Sequence, residues 1–201
     1  MWNRTEDQIT LTLIRHGQTK ANKEHRYLGK TDEELSAEGR EEIKEYVNMH
    51  RYPEVDCVFT SSMKRCKATA AIIYPQIEIR EIPEWDEMDF GLFEGKNYQE
   101  LNGNPSYQEW IDSDGTLPFP GGESREDFLS RCERGMRKMI SELPEQTKSI
   151  ALVVHGGTIM ALLSAYCGGE YFDYQVPNGS GFQVNLLKGK TEIRFDGITR
   201  I

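Results

Sequence analysis

Short apolar runs alternate with segments of helical period along this chain, and that alternation restricts its fold more than any other feature. Strands are expected over residues 8–14, 55–60 and 77–80, with helices over 37–50 and 63–73 between them. Ser124, with Asp127 three residues on in the pattern of a capping box, opens a further helix carrying Phe128, Leu129, Cys132, Met136, Met139 and Ile140 on one face. An apolar strand over 149–154 follows, then a helix from 157 to about 167 and two closing strands near 181–187 and 191–196, close enough for a hairpin. Parallel strands cannot be joined by a tight turn and need a crossover, usually a helix. The order therefore predicts an α/β fold, a three-layer α/β/α sandwich around a mostly parallel sheet of about six strands. Residues 81–122 read as one long irregular connection, and 97–122 as part of a cap over the active site.

No Pro/Ser-rich linker or shift in composition divides the 201 residues, so one domain over 1–201 is expected. The four cysteines, at 57, 66, 132 and 167, form no C-x-x-C pair and lie among apolar positions, as reduced buried thiols do. Charges at Arg4, Glu6 and Asp7 precede the first apolar run, and no stretch of eighteen apolar residues occurs. These features lead us to expect a soluble cytoplasmic protein. A net charge of −9 argues against nucleic-acid or membrane partners, which call for a basic face. It leaves room for a small phosphorylated metabolite held by a local pocket of arginines. Oligomeric state is not legible.

Open parallel sheets bind ligands beyond the carboxyl ends of their strands, and there the chain places its most reactive side chains. Arg15 and His16 follow the first strand, Ser61 to Arg65 the second, and His155 the late one. An arginine offers a planar fork of donors to an oxyanion, an unprotonated imidazole is a nucleophile, and a glycine such as Gly17 lets backbone turn closely around an anion. Ser61-Ser62 and Gly156-Gly157-Thr158 also start helices, whose free N–H groups attract anions. Each has a plainer reading. His16 can simply cap a strand, Arg65 can cover apolar surface, and Asn22 can be an ordinary turn residue. Among Glu81, Glu84, Asp86, Glu87 and Asp89 composition does not choose a general acid. No cysteine has an arginine six positions later, no Asp-x-Asp follows an apolar strand, and Gly91 to Lys96 lacks P-loop spacing. The four histidines show no H-x-x-x-H spacing, so neither a metal nor another cofactor is expected; His25 and His50 read as surface or loop residues.

The motifs come in a particular order. Ile14-Arg15-His16-Gly17-Gln18-Thr19 is followed by Tyr27-Leu28-Gly29-Lys30-Thr31-Asp32 and Leu35-Ser36-Ala37-Glu38-Gly39, then by Ser61-Ser62-Met63-Lys64-Arg65. Glu87-Met88-Asp89-Phe90-Gly91, Pro120-Gly121-Gly122-Glu123-Ser124 and Val153-Val154-His155-Gly156-Gly157 complete the series. In this order they resemble the histidine phosphatase, or phosphoglycerate mutase-like, family. The resemblance implies a phosphoglycerate mutase-like fold and a metal-independent phosphomonoester hydrolase working through a phosphohistidine. It assigns His16 as phosphate acceptor, Arg15, Arg65 and His155 as the phosphate pocket, Glu87 as proton donor, and Asn22 and Gly156 as substrate-binding residues. Sequence does not say which nitrogen of His16 attacks. Gly156, where acid phosphatases and phytases carry an aspartate, points to the mutase-like branch. Within it the motifs look most like the α-ribazole-5′-phosphate phosphatases of cobalamin synthesis. Tyr98, Tyr107, Trp110 and Phe119 are candidate walls for a flat base, or else minor-core residues. A phosphoglycerate mutase remains an alternative, as does a catalytically silent phosphate-binding or interaction module on the same fold.

Overall fold

β1, Gln8–Arg15, has neighbours on both edges and is buried on both faces, by Leu11 and Leu13 on one and Thr12 and Ile14 on the other, as befits a central strand. The computed structural model describes residues 8–188 and 193–201; Arg4, Glu6 and Asp7, and positions 191–192 of the expected last strand, lie outside them. After β1 come a single helical turn α1 (Lys20–Lys23), α2 (Ala37–Asn48), β2 (Cys57–Thr60), α3 (Lys64–Ile73) and β3 (Ile79–Glu81). Then follow 3-10 turns at Pro83–Trp85 and Gly91–Phe93, α4 (Tyr98–Leu101), α5 (Pro105–Asp112) and α6 (Arg125–Glu142). β4 (Ser149–Val154), α7 (Gly156–Cys167), a 3-10 turn at Tyr171–Tyr174, β5 (Gly181–Lys188) and β6 (Ile193–Arg200) complete the described chain.

The sheet runs β3-β2-β4-β1-β5-β6, parallel from β3 to β1, with β5 antiparallel to both of its neighbours. Alternate residues of the central strands supply two separate cores, and this makes the sandwich three-layered. Leu11, Leu13, Phe59, Ile150, Leu152 and Val154 pack on the face covered by α6 and α7, through Phe128, Met136 and Ile159 among others. Ile14, Val58, Ala151 and Val153 pack on the other face, against Ile43 of α2 and Cys66 and Ala70 of α3.

Two expectations need correction. The connection over 81–122 is not wholly irregular: Asn97 caps α4 in a full capping box with Glu100, and Asn104 caps α5 with Pro105 at its first position. At the start of α6, Ser124 Oγ accepts from the N–H of Asp127 at 3.0 Å, but its hydroxyl also donates to the Asp127 carboxylate at 2.6 Å. That bond stands in place of the reciprocal backbone bond of a complete box. Three of the cysteines are buried and Cys167 is half-buried, all as free thiols. No helix among the described residues is long and apolar enough to cross a membrane.

Candidate active site

The parallel order brings the ends of β1, β2 and β4 side by side, and the expected residues meet there. His16 leaves β1 with its N–H bonded to Val154 O of β4 at 2.9 Å, which sets its imidazole 5.2 Å from that of His155, edge to face. His16 Nδ1 lies 2.7 Å from Gly17 O. A carbonyl only accepts, so Nδ1 carries the proton and Nε2 presents a bare lone pair. Burial, then the positive charges of Arg65 and Arg15, hold the His16 pKa well below the ordinary 6.5, so the ring is neutral. Gly17 thus serves differently from the sequence expectation. Its carbonyl fixes the imidazole, its N–H donates to Thr69 Oγ1 at 2.9 Å, and a Cβ there would stand 2.9 Å from Ile43 Cγ1 of the helix packed over it.

Arg65 is fully buried on α3, and its fork is largely committed inside the protein. Nη1 donates to Thr31 O and Nη2 to Gly29 O, both at 2.9 Å, and Nε donates to His155 Nδ1 at 3.3 Å. An arginine cannot accept, so His155 Nδ1 is the unprotonated nitrogen, and Nε2–H donates to Ser61 Oγ at 2.9 Å. The expected donor from His155 to a phosphate is therefore spent on Ser61, and Arg65 contributes its charge and its hold on His155. Arg15 is different: Nη1 donates to Val176 O at 2.8 Å, whereas its buried Nε has no partner among the described residues. A buried charged donor without a partner is costly and suits an anion.

Glu87 sits where the 83–89 connection crosses the start of α7. Its Oε1 accepts from Met88 N at 2.9 Å, and burial pushes its pKa above the usual 4.5, against the pull of Met88 N–H, Arg65 and Arg15. A Cβ on Gly157 would come within 2.4 Å of that Oε1. Gly156 lines the same cavity, but a Cβ there would meet Arg15 Nε only at 3.5 Å. Of the two glycines, Gly157 is therefore the one whose missing side chain the carboxyl requires. Thr158 Oγ1 donates to Trp85 O at 3.1 Å and ties the same helix start to the loop.

Several positioning residues escaped the sequence reading because their partners are remote in the chain. Asn178 Nδ2 donates to His16 O at 2.9 Å and to Asn22 Oδ1 at 3.1 Å. Asn22 Oδ1 also takes Thr19 N at 3.2 Å, so what Asn22 can offer a ligand is its NH₂. Arg131 pairs with Glu123 and donates to the carbonyls of Glu84 and Asp86 at 2.9 Å and 2.8 Å, clamping the loop that carries Glu87. Asp86 in turn accepts from Ser62 N and Oγ at 2.8 Å and 2.6 Å. His25 and His50 are exposed, and no cluster of three His, Cys, Asp or Glu among the described residues could hold a metal ion.

A cavity of about 620 Å³ opens beside this centre, lined by Arg15, Glu87, Gly156 and Gly157. Of the four expected aromatics, Trp110 and Phe119 line it. Tyr107 stands behind them against Phe93 and Trp110. Tyr98 is 59% exposed, in neither wall nor core. Tyr27, Phe90, Tyr171 and Phe172 complete the aromatic lining, and sequence spacing gave no sign of them.

Comparison with known proteins adds the lineage. Residues 11–195 match the model of the histidine phosphatase superfamily, branch 1. The chain belongs to that superfamily. This histidine phosphatase is 30% identical over 165 residues to the adenosylcobalamin/alpha-ribazole phosphatase of Escherichia coli K12, covering 80% of each chain. It is 32% identical over 162 residues to the 2,3-bisphosphoglycerate-dependent phosphoglycerate mutase 2 of Gloeobacter violaceus, covering 76% of this chain and 73% of that one. The crystal structure of the alpha-ribazole phosphatase of Shigella flexneri superimposes with a TM-score of 0.78 at 24% identity, over 94% of this chain and 95% of that one. That last likeness concerns the fold alone.

Proposed function

We propose that this histidine phosphatase hydrolyses a small phosphomonoester in two steps through His16, without a metal ion, and that α-ribazole-5′-phosphate is its leading candidate substrate. The observation that carries the reading is the bond from His16 Nδ1 to Gly17 O. It leaves Nε2 as a lone pair within the field of Arg15, whose own buried Nε has no partner among the described residues. In the first step Nε2 attacks phosphorus in line while the carboxylic acid of Glu87 passes its proton to the departing alkoxide oxygen. The charge spread over the equatorial oxygens is met by Arg15, by the positive field of Arg65, and by N–H groups at the start of α7. In the second step the Glu87 carboxylate takes a proton from water as that water attacks the phosphohistidine. Inorganic phosphate leaves, and both groups return to their starting forms.

The walls favour hydrolysis of a larger ester over mutase chemistry on phosphoglycerate. A three-carbon phospho-acid is small and anionic, and it gains nothing from a cavity of about 620 Å³ lined largely by aromatic rings. A base joined to ribose phosphate buries its flat face there, which agrees with the function of the Escherichia coli relative. The test is inorganic phosphate release, in a chelator, from α-ribazole-5′-phosphate, 3-phosphoglycerate and a set of sugar phosphates. Preference for the first supports the reading in full. Broad weak release keeps the chemistry and removes the substrate, and phosphoryl exchange on 3-phosphoglycerate without release replaces the hydrolase with a mutase.

A further inference from the structure

One charged side chain of the cavity has no part in the chemistry above. Arg125 is the first residue of α6, directly after its cap Ser124, so its backbone is fixed by the helix start. Its Cζ lies 5.1 Å and 5.2 Å from the ring centroids of Tyr171 and Phe172, a double cation–π contact. Nη2 donates to Gly115 O at 2.9 Å. The guanidinium therefore joins three segments that wall the cavity: the turn after α5, the start of α6 and the 171–174 turn. These contacts hold its plane in place and leave the Nε–Nη1 edge uncommitted among the described residues.

The surroundings make that edge informative. Arg15, Glu87 and Arg125 are the charged side chains lining the cavity among the described residues, and the first two belong to phosphoryl transfer. Trp110 and Phe119, tilted by 31° with centroids 4.9 Å apart, offer apolar faces to a flat group. The wall is half-buried, so a flat ligand seated on it takes the Arg125 edge out of water, and a ligand that puts no acceptor there leaves that donor unpaired.

We propose that Arg125 is a specificity-determining residue for the leaving group. It donates a hydrogen bond to an acceptor nitrogen or oxygen at the edge of a planar aromatic ring system carried by the alcohol. The inference rests on the phosphomonoesterase reading and narrows its substrate class to aryl- or heteroaryl-bearing alkyl phosphates with an acceptor edge.

An isosteric pair of esters tests it: 2-(quinolinyl)ethyl phosphate and 2-(naphthyl)ethyl phosphate, which differ by one ring nitrogen, with glycerol phosphate as a small reference. In the wild type kcat/KM should favour the quinoline ester about tenfold, mostly through KM, as expected for one hydrogen bond to a charged donor. Arg125→Ala should abolish that preference, whereas a purely structural role would lower both esters alike. Arg125→Lys keeps the charge without the planar fork and should recover at most part of the preference; it also decides the matter if the alanine variant does not fold. Equal use of the two esters by the wild type, or a preference that survives both substitutions, overturns the proposal. Release from glycerol phosphate but from neither aromatic ester overturns it while sparing the hydrolase. No release from any ester removes the phosphomonoesterase reading itself.

Discussion

In the proposed mechanism Glu87 acts protonated and His16 unprotonated, and their surroundings push them in those opposite directions. Burial and two arginines keep His16 neutral well below pH 6.5, and burial raises Glu87 above 4.5. That mechanism predicts loss of activity as pH falls through the His16 value and again as it rises through the Glu87 value. The kcat/KM profile should therefore have its acid limb below the ordinary imidazole value and its alkaline limb above the ordinary carboxyl value. Glu87→Gln should lower kcat by about 10²–10⁴ and erase the alkaline limb, which steady-state rates from pH 4 to 9 would show. A limb that persists in the variant assigns the acid elsewhere. Gly157→Ala, whose new Cβ meets Glu87 Oε1, should depress kcat far more than Gly156→Ala. Comparable losses in the two variants would remove the special role of Gly157. Arg15, His16, Arg65, Glu87 and His155 were legible in sequence because they fall at strand ends or within motifs. Asn178, Arg131 and Ser61 as the holder of His155 were not, since each acts on a residue 44 or more positions away.

At the scale of elements, the 27–32 segment works as a clasp between the 94–96 loop and α3. Its N–H groups at Gly29 and Thr31 are bound by the Glu94 carboxylate at 2.9–3.0 Å. Its carbonyls hold Arg65, and Asp32 Oδ1 accepts from Lys64 N at 2.8 Å, capping α3 where Met63 has no capping side chain. Glu94→Ala should cost about 1–3 kcal/mol in denaturant unfolding and should also slow turnover, because Arg65 loses its anchors. Loss of stability with kcat intact would break that coupling. β1, β2, α3, β4 and α7 were predicted to within about three residues because period and burial agree in them. α4 and α5 were missed although Asn97 with Glu100 and Asn104 with Pro105 are helix starts: neither is long enough to show a period, and only Leu101 of their residues is buried.

For the molecule as a whole, alternation of strand and helix was enough to predict a three-layer sandwich, since helical crossovers between parallel strands cover both faces of the sheet. Strand order was not legible: β4 inserts between β2 and β1, and nothing local to β4 encodes its neighbours. That insertion is what carries His155 to His16. Placing two neutral imidazoles in the interior ties stability to pH. Both His16 and His155 have pKa values held well below 6.5, so the unfolded chain binds protons that the folded one does not. Their contribution is complete above that value and is lost as pH falls toward the folded values. Glu87, raised in the fold, binds its proton more tightly when folded and opposes them. Two imidazoles against one carboxyl leave a net decline, so Tm should fall as pH drops from 7 to 5. His155→Gln should flatten that slope, and an unchanged slope would show that the buried histidines are not its source.

If His16 Nε2 takes the phosphoryl group, the phosphohistidine can be trapped. Wild type mixed with a phosphorus-32-labelled ester and quenched in alkali within milliseconds should carry one acid-labile phosphoryl group on His16. Phosphorus and nitrogen NMR of the isolated peptide should place it on Nε2, and His16→Ala should carry none. A label on Nδ1, on another residue, or equally present in the alanine variant would exclude Nε2 of His16 as the nucleophile.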